Sequence, residues 1–140
     1  MRKKVRQIPE ARPVATDQLH LRFSFKHLNL DNDKFHPARC CPVEYCIKLF
    51  EILQRFSTWT VEQFIDQNNQ AHRHQIDFPK TSEPDGFPNI DSEQLGYHVA
   101  WQFSVDPDIP YCHWRAHGIL IDDTFFFVWL DPDHELWPDA

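Results

Sequence analysis

Apolar and polar residues alternate in several segments of the chain, and this alternation is the pattern of a strand with one buried face. The clearest example covers residues 97–105, and residues 19–26 show the same period with apolar side chains at the odd-numbered positions. A shorter segment with this period covers residues 72–78. The pattern therefore predicts strands at 19–26 and 97–105 and a short strand at 72–78.

The end of the chain predicts a β-hairpin with strands at 112–121 and 124–130, because a two-residue Asp-Asp turn separates two strand-like segments. Counting the pairing outward from this turn places the small Ala116 opposite the large Trp129. Pro132 then ends the second strand, since proline has no N–H to donate to a sheet. The hairpin is thus expected to have one well-packed apolar face.

Two helices are predicted between the first strand and the short strand. The first covers residues 42–56 and has Pro42 in its first turn, where a missing N–H costs no hydrogen bond. Its apolar side chains repeat with the helical period: Val43, Cys46, Ile47, Phe50, Leu53 and Phe56. The second covers residues 60–68 and begins at Thr60, which forms a capping box with Gln63.

The order of these elements predicts an α+β fold, β-α-α-β-β-β, in which both helices pack on one face of a curved antiparallel sheet. The opposite face of the sheet is expected to be partly open. A chain of 140 residues is about one domain, and we expect this domain to cover residues 18–140. Residues 1–17 contain two prolines and show no periodicity, so they are predicted to be a disordered basic arm.

Charge is distributed unevenly along the chain. Residues 1–12 contain five basic residues and one acidic residue, which leaves nine basic and twenty acidic residues in the rest, an excess of eleven negative charges. Such a body repels a phosphate backbone at long range, so nucleic-acid binding requires a local basic patch or the arm. No apolar segment approaches the ~20 residues of a membrane helix, and the basic start lacks the apolar segment of a secretory signal. We therefore expect a cytoplasmic protein without a membrane partner.

The four cysteines allow two interpretations. A core of the expected size does not need disulfides, so we expect Cys46, on the apolar side of the first helix, to be buried and reduced, and Cys112 to be free. Alternatively, Cys40, Cys41 and Cys46 together with His36 offer the ligand types of a zinc site, although their spacing matches no recognised zinc pattern. The chemistry considered next requires neither a metal nor a cofactor.

The second face of the predicted hairpin carries the candidate catalytic residues. His113, Arg115 and His117 alternate along one strand and therefore point to the same side, and His134 follows shortly after the last strand. Histidine can be a base or an acid because its pKa lies near 7, and arginine binds phosphate oxygens. These side chains can therefore supply proton-transfer groups and a cation, but no single motif here names a reaction.

The layout is similar to that of the RelE/ParE-like toxins of bacterial toxin–antitoxin systems. The resemblance covers most of residues 19–137. It includes the polar strand His-Arg-His-Gln-Ile-Asp-Phe at 72–78, the strand His-Trp-Arg-Ala-His at 113–117 and the aromatic C-terminal segment at 127–137. It implies that residues 18–140 form a RelE-like domain that cleaves mRNA on the ribosome and inhibits translation. It also implies an antitoxin protein as a partner.

The resemblance carries over to single residues of this sequence. Arg115 matches the family's arginine of the penultimate strand, and His134 matches a histidine that some members carry near the C-terminus. His72 and His74 fall where some members have another histidine. The resemblance further implies that the site lies on the sheet face left open by the helices. Cleavage of RNA through its 2′-hydroxyl needs a base, an acid and a cation. We therefore expect Arg115, His117 and His134 to be catalytic, with Arg115 binding the phosphate and the two histidines transferring protons.

Four further residues are expected to bind substrate at this site: His72, His74, His113 and Trp137. The indole of Trp137 can stack on a base. Two features depart from the family, because the body is acidic and the loop at 79–95 is long. A loop of that length in a compact domain is often functional.

Structural interpretations of the same residues stay open. His113 and His117 can be buried histidines with satisfied hydrogen bonds, Arg115 can pair with Asp131 or Asp133, and His134 can be a turn residue. The histidines of the short strand can be polar edge residues. The acidic body favours an alternative function, a non-enzymatic protein-binding module of the same fold. The charge of the sheet face around Arg115 and His117 distinguishes the two functions.

Overall fold

The computed structural model describes residues 18–66, 70–88, 90 and 99–137. The predicted basic arm and the first two residues of the clearest predicted strand lie outside the described residues. None of the described helices is long and apolar enough to cross a membrane.

Five strands form one sheet, in the spatial order β1-β5-β4-β3-β2. Their bounds are β1 Arg22–Ser24, β2 His74–Gln75, β3 Val99–Ser104, β4 Arg115–Ile121 and β5 Thr124–Asp131. Helix α1 covers Pro42–Ser57 and helix α2 covers Val61–Ile65, and short 3₁₀ turns lie at Pro37–Arg39, Gln70–His72 and Phe78–Lys80. The predicted α+β class with two helices is confirmed.

The sheet is mixed, and it differs from the prediction in detail at one edge. Strands β2 to β5 pair antiparallel with their neighbours, but β1 runs parallel to β5. No hairpin joins these two strands, so alternation alone does not fix their relative direction. β1 is also shorter than predicted because its preceding residues bond to the chain around the start of α2. Leu21 N donates to Trp59 O (3.0 Å), and Val61 N donates to Leu19 O (2.9 Å).

Both helices pack on one face of the sheet, in a core shared with aromatic residues of β3 and β5. The buried residues of α1 are Tyr45, Leu49, Ile52, Leu53 and Phe56. Helix α1 is thus rotated relative to the prediction, and Val43, Ile47 and Phe50 are 66%, 53% and 67% exposed. Apolar residues occur on both sides of this helix, so tertiary contacts decide which side is buried. Tyr45 can be buried because its hydroxyl donates to the carbonyl oxygen of Arg115 (2.6 Å).

The final hairpin contains a β-bulge that changes the position of Trp129. The turn forms as predicted, with Asp122 at a φ of 53°. Immediately after His117 the register shifts by one residue, so Ala116 pairs with Leu130 and not with the predicted Trp129. Because successive residues point to opposite faces, Trp129 lies beside His117 on the face away from the helices.

The sheet face away from the helices is covered, contrary to the prediction of a partly open face. A second apolar cluster fills it: Phe35, Phe87, Ala100, Ile119, Val128, Trp129 and Leu136. Polar contacts join the covering segments, since Lys34 forms a salt bridge with Glu83 (3.1 Å) and Ser82 donates to the carbonyl oxygen of Glu135 (2.7 Å). The long loop predicted at 79–95 therefore serves, in its described part, as a wall of this second core.

Candidate active site

The structure brings all seven predicted site residues together in one place, which we call the polar cluster. Its core consists of six polar residues that are each at most 6% exposed: Gln102, Ser104, Arg115, His117, Asp131 and His134. Its rim consists of exposed or half-buried residues: His72, His74, His113 and Trp137. The predicted open-face location is therefore wrong for Arg115, His117 and His134, because the second apolar layer and the C-terminal segment cover that face.

Strand pairing explains why the core residues meet. Arg115 and His117 are two apart on β4, so both point away from the helices. On β3, Gln102 lies directly beside His117, and on β5, Asp131 lies directly beside Arg115. On β2, His74 lies beside Gln102 in turn. Four adjacent strands thus place these side chains in a row across the sheet.

Gln102 connects two histidines of the cluster. His117 Nε2 lies 2.9 Å from Gln102 Oε1, and Gln102 Nε2 lies 3.2 Å from His74 Nε2. The other ring nitrogen of His74, Nδ1, lies 3.2 Å from the carbonyl oxygen of Gln75. The ring of His74 also meets the ring of Trp137 edge-on, with centroids 5.1 Å apart. The rim is therefore linked to the core by direct contacts.

Asp131 fixes the segment that carries His134. Its carboxylate accepts hydrogen bonds from the backbone N–H groups of Glu135 (2.9 Å) and Leu136 (3.0 Å). His134 itself adopts a left-handed conformation with a φ of 56°. This sharp turn places its ring 6.3 Å from the ring of His113. His134 is therefore a turn residue, which was one of the two interpretations of the sequence, and it also belongs to the polar cluster.

The Arg115 side chain points back along its own strand. Its Nη1 donates to the carbonyl oxygens of Cys112 (2.8 Å) and Trp114 (3.1 Å). Among the described ion pairs, Asp133 pairs with Arg39 (2.9 Å) and not with Arg115. The alternative of an Arg115 ion pair at the end of the hairpin is therefore not observed.

Three buried polar atoms of the cluster find no hydrogen-bond partner among the described residues: Arg115 Nε, His117 Nδ1 and His134 Nε2. An unsatisfied buried polar atom costs about 1–3 kcal/mol, so native structures rarely keep several of them close together. The interpretation of His117 as a fully satisfied structural histidine does not fit this observation. These atoms have free capacity to bind a polar ligand.

Burial favours the neutral form of three histidines of the cluster: His74, His117 and His134. Desolvation lowers the pKa of His134 to about 4 and the pKa of His117 well below its ordinary value, and the nearby Arg115 lowers both pKa values further. Desolvation also lowers the pKa of His74. In contrast, desolvation raises the pKa of Asp131 to about 6, against the effect of its two backbone hydrogen bonds. A neutral imidazole has a lone pair that can accept a proton, and it does so most efficiently when its pKa lies near the working pH.

A surface cavity of about 410 Å³ borders His113 and includes Asp106, Asp133 and Cys112 in its wall. Its wall thus carries acidic groups, and Arg115 is buried. The acidic groups of this wall do not favour RNA, but the wall is not uniformly negative either, because its Asp133 pairs with Arg39 (2.9 Å). The charge of this surface does not decide between the two functions.

The cysteines do not form the zinc site considered above. Within the described part of the chain, no group of three or more His, Cys, Asp or Glu side chains is arranged to hold a metal ion. All four cysteines are free, including Cys112 as expected, but Cys46 is only partly buried because α1 is rotated. Cys40 and Cys41 are exposed, with their Sγ atoms 3.6 Å apart. His36 accepts a backbone hydrogen bond within its own turn (3.0 Å).

Sequence analysis missed Gln102 and Ser104 and considered Asp131 only as a partner of Arg115. The signal for Gln102 and Ser104 was present, since alternation on β3 puts both on the side away from the apolar face. What the alternation could not show is that β4 would place His117 beside them.

No protein-family model, curated protein or solved structure matches the chain. The resemblance to RelE/ParE-like toxins is therefore neither supported nor opposed by these comparisons. A functional conclusion has to come from the geometry of the polar cluster.

Proposed function

We propose that the chain is a RelE-like toxin that cleaves mRNA as a metal-independent endoribonuclease, with the polar cluster as its active site. One observation carries this proposal: Arg115, His117 and His134 lie near enough to affect one another's charge, and each has a buried polar atom without a partner among the described residues. A cation and two imidazoles are the groups that attack of a 2′-hydroxyl on a phosphodiester needs. Their free hydrogen-bonding capacity favours a binding role over a purely structural one.

In the proposed reaction, His117 Nδ1 accepts the proton of the 2′-hydroxyl while the oxygen forms a bond to the adjacent phosphorus. The bond from phosphorus to the 5′-oxygen breaks, and this oxygen takes a proton from His134. Arg115 donates hydrogen bonds to the phosphate oxygens as negative charge builds up on them. The products are a 2′,3′-cyclic phosphate and a 5′-hydroxyl.

His134 can act as the acid only when its pKa rises above the low value of the free protein. A bound phosphate supplies a negative charge near His134, and an opposite charge within about 4–6 Å favours the protonated form. The phosphate also offsets the effect of Arg115, which lowers the pKa of His134 in the free protein. We therefore expect substrate binding to raise the pKa of His134 and to produce the protonated imidazole that the acid step needs.

Access to the cluster determines where RNA approaches. His117 is fully buried, so part of its cover has to move before RNA can contact it. His72 and His113 are exposed at the rim, and they mark the side from which a substrate approaches. Trp137 is half-buried and meets the ring of His74 edge-on, and its indole can stack on a base.

Expression of the chain tests this proposal. The wild-type protein is expected to arrest growth, and the Arg115→Ala, His117→Ala and His134→Ala proteins are expected to lose at least about 10²-fold in cleavage rate. Arg115→Lys recovers only part of the activity, because an ammonium lacks the planar fork of a guanidinium. His20→Gln changes an exposed histidine outside the cluster and serves as the matched control, with circular dichroism as the check on folding.

A non-enzymatic protein-binding module is the second candidate function. It is favoured by the exposed side of α1, where Val43, Ile47 and Phe50 follow each other at helical spacing on an acidic body. Such a surface suits an amphipathic segment with basic flanks. If the wild-type protein is harmless and cleaves no RNA, this function is preferred. Ile47→Asp should then abolish partner binding, while changes in the cluster should leave it intact.

A further inference from the structure

Gln102 is fully buried in the middle of the polar cluster, between two histidines. Its Oε1 contacts His117 Nε2 (2.9 Å), and its Nε2 contacts His74 Nε2 (3.2 Å). A glutamine amide accepts at its oxygen and donates at its nitrogen. The Gln102 side chain therefore needs a donor nitrogen from His117 and an acceptor nitrogen from His74.

These hydrogen-bonding requirements determine one tautomer for each ring. Because Gln102 Oε1 accepts, neutral His117 carries its proton on Nε2 and leaves Nδ1 with a free lone pair. Because Gln102 Nε2 donates, His74 Nε2 is the acceptor and the proton of neutral His74 lies on Nδ1. That N–H can donate to the carbonyl oxygen of Gln75, which lies 3.2 Å away. All three contacts are then satisfied.

The reversed orientation of the amide satisfies fewer groups. His74 would then carry its proton on Nε2, and its bare Nδ1 would face the carbonyl oxygen of Gln75, so that two acceptors would be in contact. His117 would carry its proton on Nδ1, and its bare Nε2 would face a second acceptor, Asp131 Oδ2, which lies 3.6 Å away. Contacts between two acceptors are unfavourable in a buried site, so the first orientation is favoured.

We infer that Gln102 is a positioning residue that holds His117 and His74 in opposite tautomers and keeps Nδ1 of His117 free to accept a proton from a ligand. The tautomers follow from the contacts alone, whereas their catalytic significance rests on the proposed function. A group bound at His117 Nδ1 has to be a hydrogen-bond donor. The 2′-hydroxyl of a ribonucleotide meets this requirement, and a deoxyribonucleotide lacks that group.

Nuclear magnetic resonance of the full chain with ¹⁵N-labelled histidine tests this inference. Long-range ¹H–¹⁵N correlations at neutral pH distinguish protonated from bare ring nitrogens, and His117→Gln and His74→Gln proteins assign the signals. The expected spectrum shows a protonated Nε2 and a bare Nδ1 for His117, and the opposite for His74. A His117 ring that is protonated on Nδ1 would overturn the inference.

Gln102→Glu provides a second test, because a carboxylate can only accept. In this protein His74 Nε2 is expected to become protonated, while His117 keeps its proton on Nε2. Gln102→Met removes both contacts and should weaken the tautomer preference of each ring, while the contacts of His74 Nδ1 with Gln75 O (3.2 Å) and of His117 Nε2 with Asp131 Oδ2 (3.6 Å) stay. An unchanged, bare His74 Nε2 in Gln102→Glu contradicts the inference. If a variant does not fold, as backbone spectra show, the wild-type spectrum decides alone.

The tautomer experiments and the RNA-cleavage test can fail independently of each other. The expected tautomers without any RNA cleavage would support the role of Gln102 and overturn the enzyme proposal. Cleavage with different tautomers would overturn the role of Gln102 and the use of His117 Nδ1 as the base, but not the proposal that the protein cleaves RNA.

Discussion

At the scale of single residues, Gly118 determines whether the final hairpin can form next to the active-site candidate His117. A Cβ at this position would collide with the carbonyl oxygen of Phe126 and with the ring of Phe125. Glycine is therefore required by the close approach of the two strands. Gly118 thus permits the strand pairing that positions His117 in the polar cluster.

Gly118→Ala is expected to lower the free energy of unfolding by about 1–3 kcal/mol, the usual cost of overpacking a core. Denaturation with urea measures this loss. Gln54→Ala, at an exposed position of α1, is the control and should change stability by less than about 0.5 kcal/mol. If Gly118→Ala is as stable as the control, the hairpin relaxes around the added methyl group and the collision does not matter.

At the scale of elements, the C-terminal turn depends on one carboxylate. Asp131 accepts from the N–H groups of Glu135 and Leu136, and it thereby holds the turn that brings His134 into the cluster. Its raised pKa of about 6 reflects the cost of burying this charge. The element is therefore stabilised by hydrogen bonds to a group that is itself costly to bury.

Asp131→Ala is expected to cost about 1–3 kcal/mol, because it leaves two backbone donors without a partner, while the loss of a desolvated charge offsets part of the effect. Asp131→Asn keeps one acceptor and should lose less. Urea denaturation gives the stability, and hydrogen exchange at the Leu136 amide shows whether the turn has loosened. Asp133→Asn removes only the partially exposed ion pair with Arg39 and should have little effect. Slow exchange at Leu136 in Asp131→Ala would argue against this role.

Elements whose signals are local were predictable from the sequence. The start of α1 at Pro42, the capping box of Thr60 and Gln63, and the turn at Asp122 all form as predicted. The direction of β1, the rotation of α1 and the bulge near His117 were not predictable, because contacts between distant segments decide them. Alternation assigns residues to two faces, but it does not tell which face a loop later covers.

The candidate site, too, was predictable where the signal is local and not where contacts between distant segments decide. Its residues could be chosen from the sequence because their chemistry is distinctive, and strand alternation correctly put Arg115 and His117 on one side. Their burial could not be foreseen, since it depends on Phe35, Phe87 and Leu136, which come from three separate segments. The bridging role of Gln102 depends on strand register and was equally hidden.

At the scale of the whole molecule, the buried histidines make stability depend on pH. The pKa values of His74, His117 and His134 are lowered in the folded protein. The unfolded chain therefore binds protons at these sites as the pH falls below about 6.5, and the folded chain does not. Their contribution to stability is present above that pH and is lost on acidification. Asp131 acts in the opposite direction below its pKa of about 6.

We expect the free energy of unfolding to decrease between pH 7 and pH 5, because the effect of the lowered pKa values of three histidines exceeds the effect of the raised pKa of Asp131. Each extra proton bound by the unfolded chain contributes a slope of about 1.4 kcal/mol per pH unit. His134→Gln removes one of these protons and should flatten the profile by up to about that amount. Urea denaturation at several pH values measures the slope. Stability that is constant or rises toward pH 5 would show that the histidines are not held neutral.

Cleavage of a defined mRNA on translating ribosomes by the purified 140-residue chain tests whether the polar cluster is a ribonuclease site. The wild-type protein and His20→Gln are expected to give fragments that end in a 2′,3′-cyclic phosphate. Arg115→Ala and His134→Ala are expected to give none above background. Absence of cleavage by the wild-type protein, or equal cleavage by the cluster variants, would contradict the proposed function.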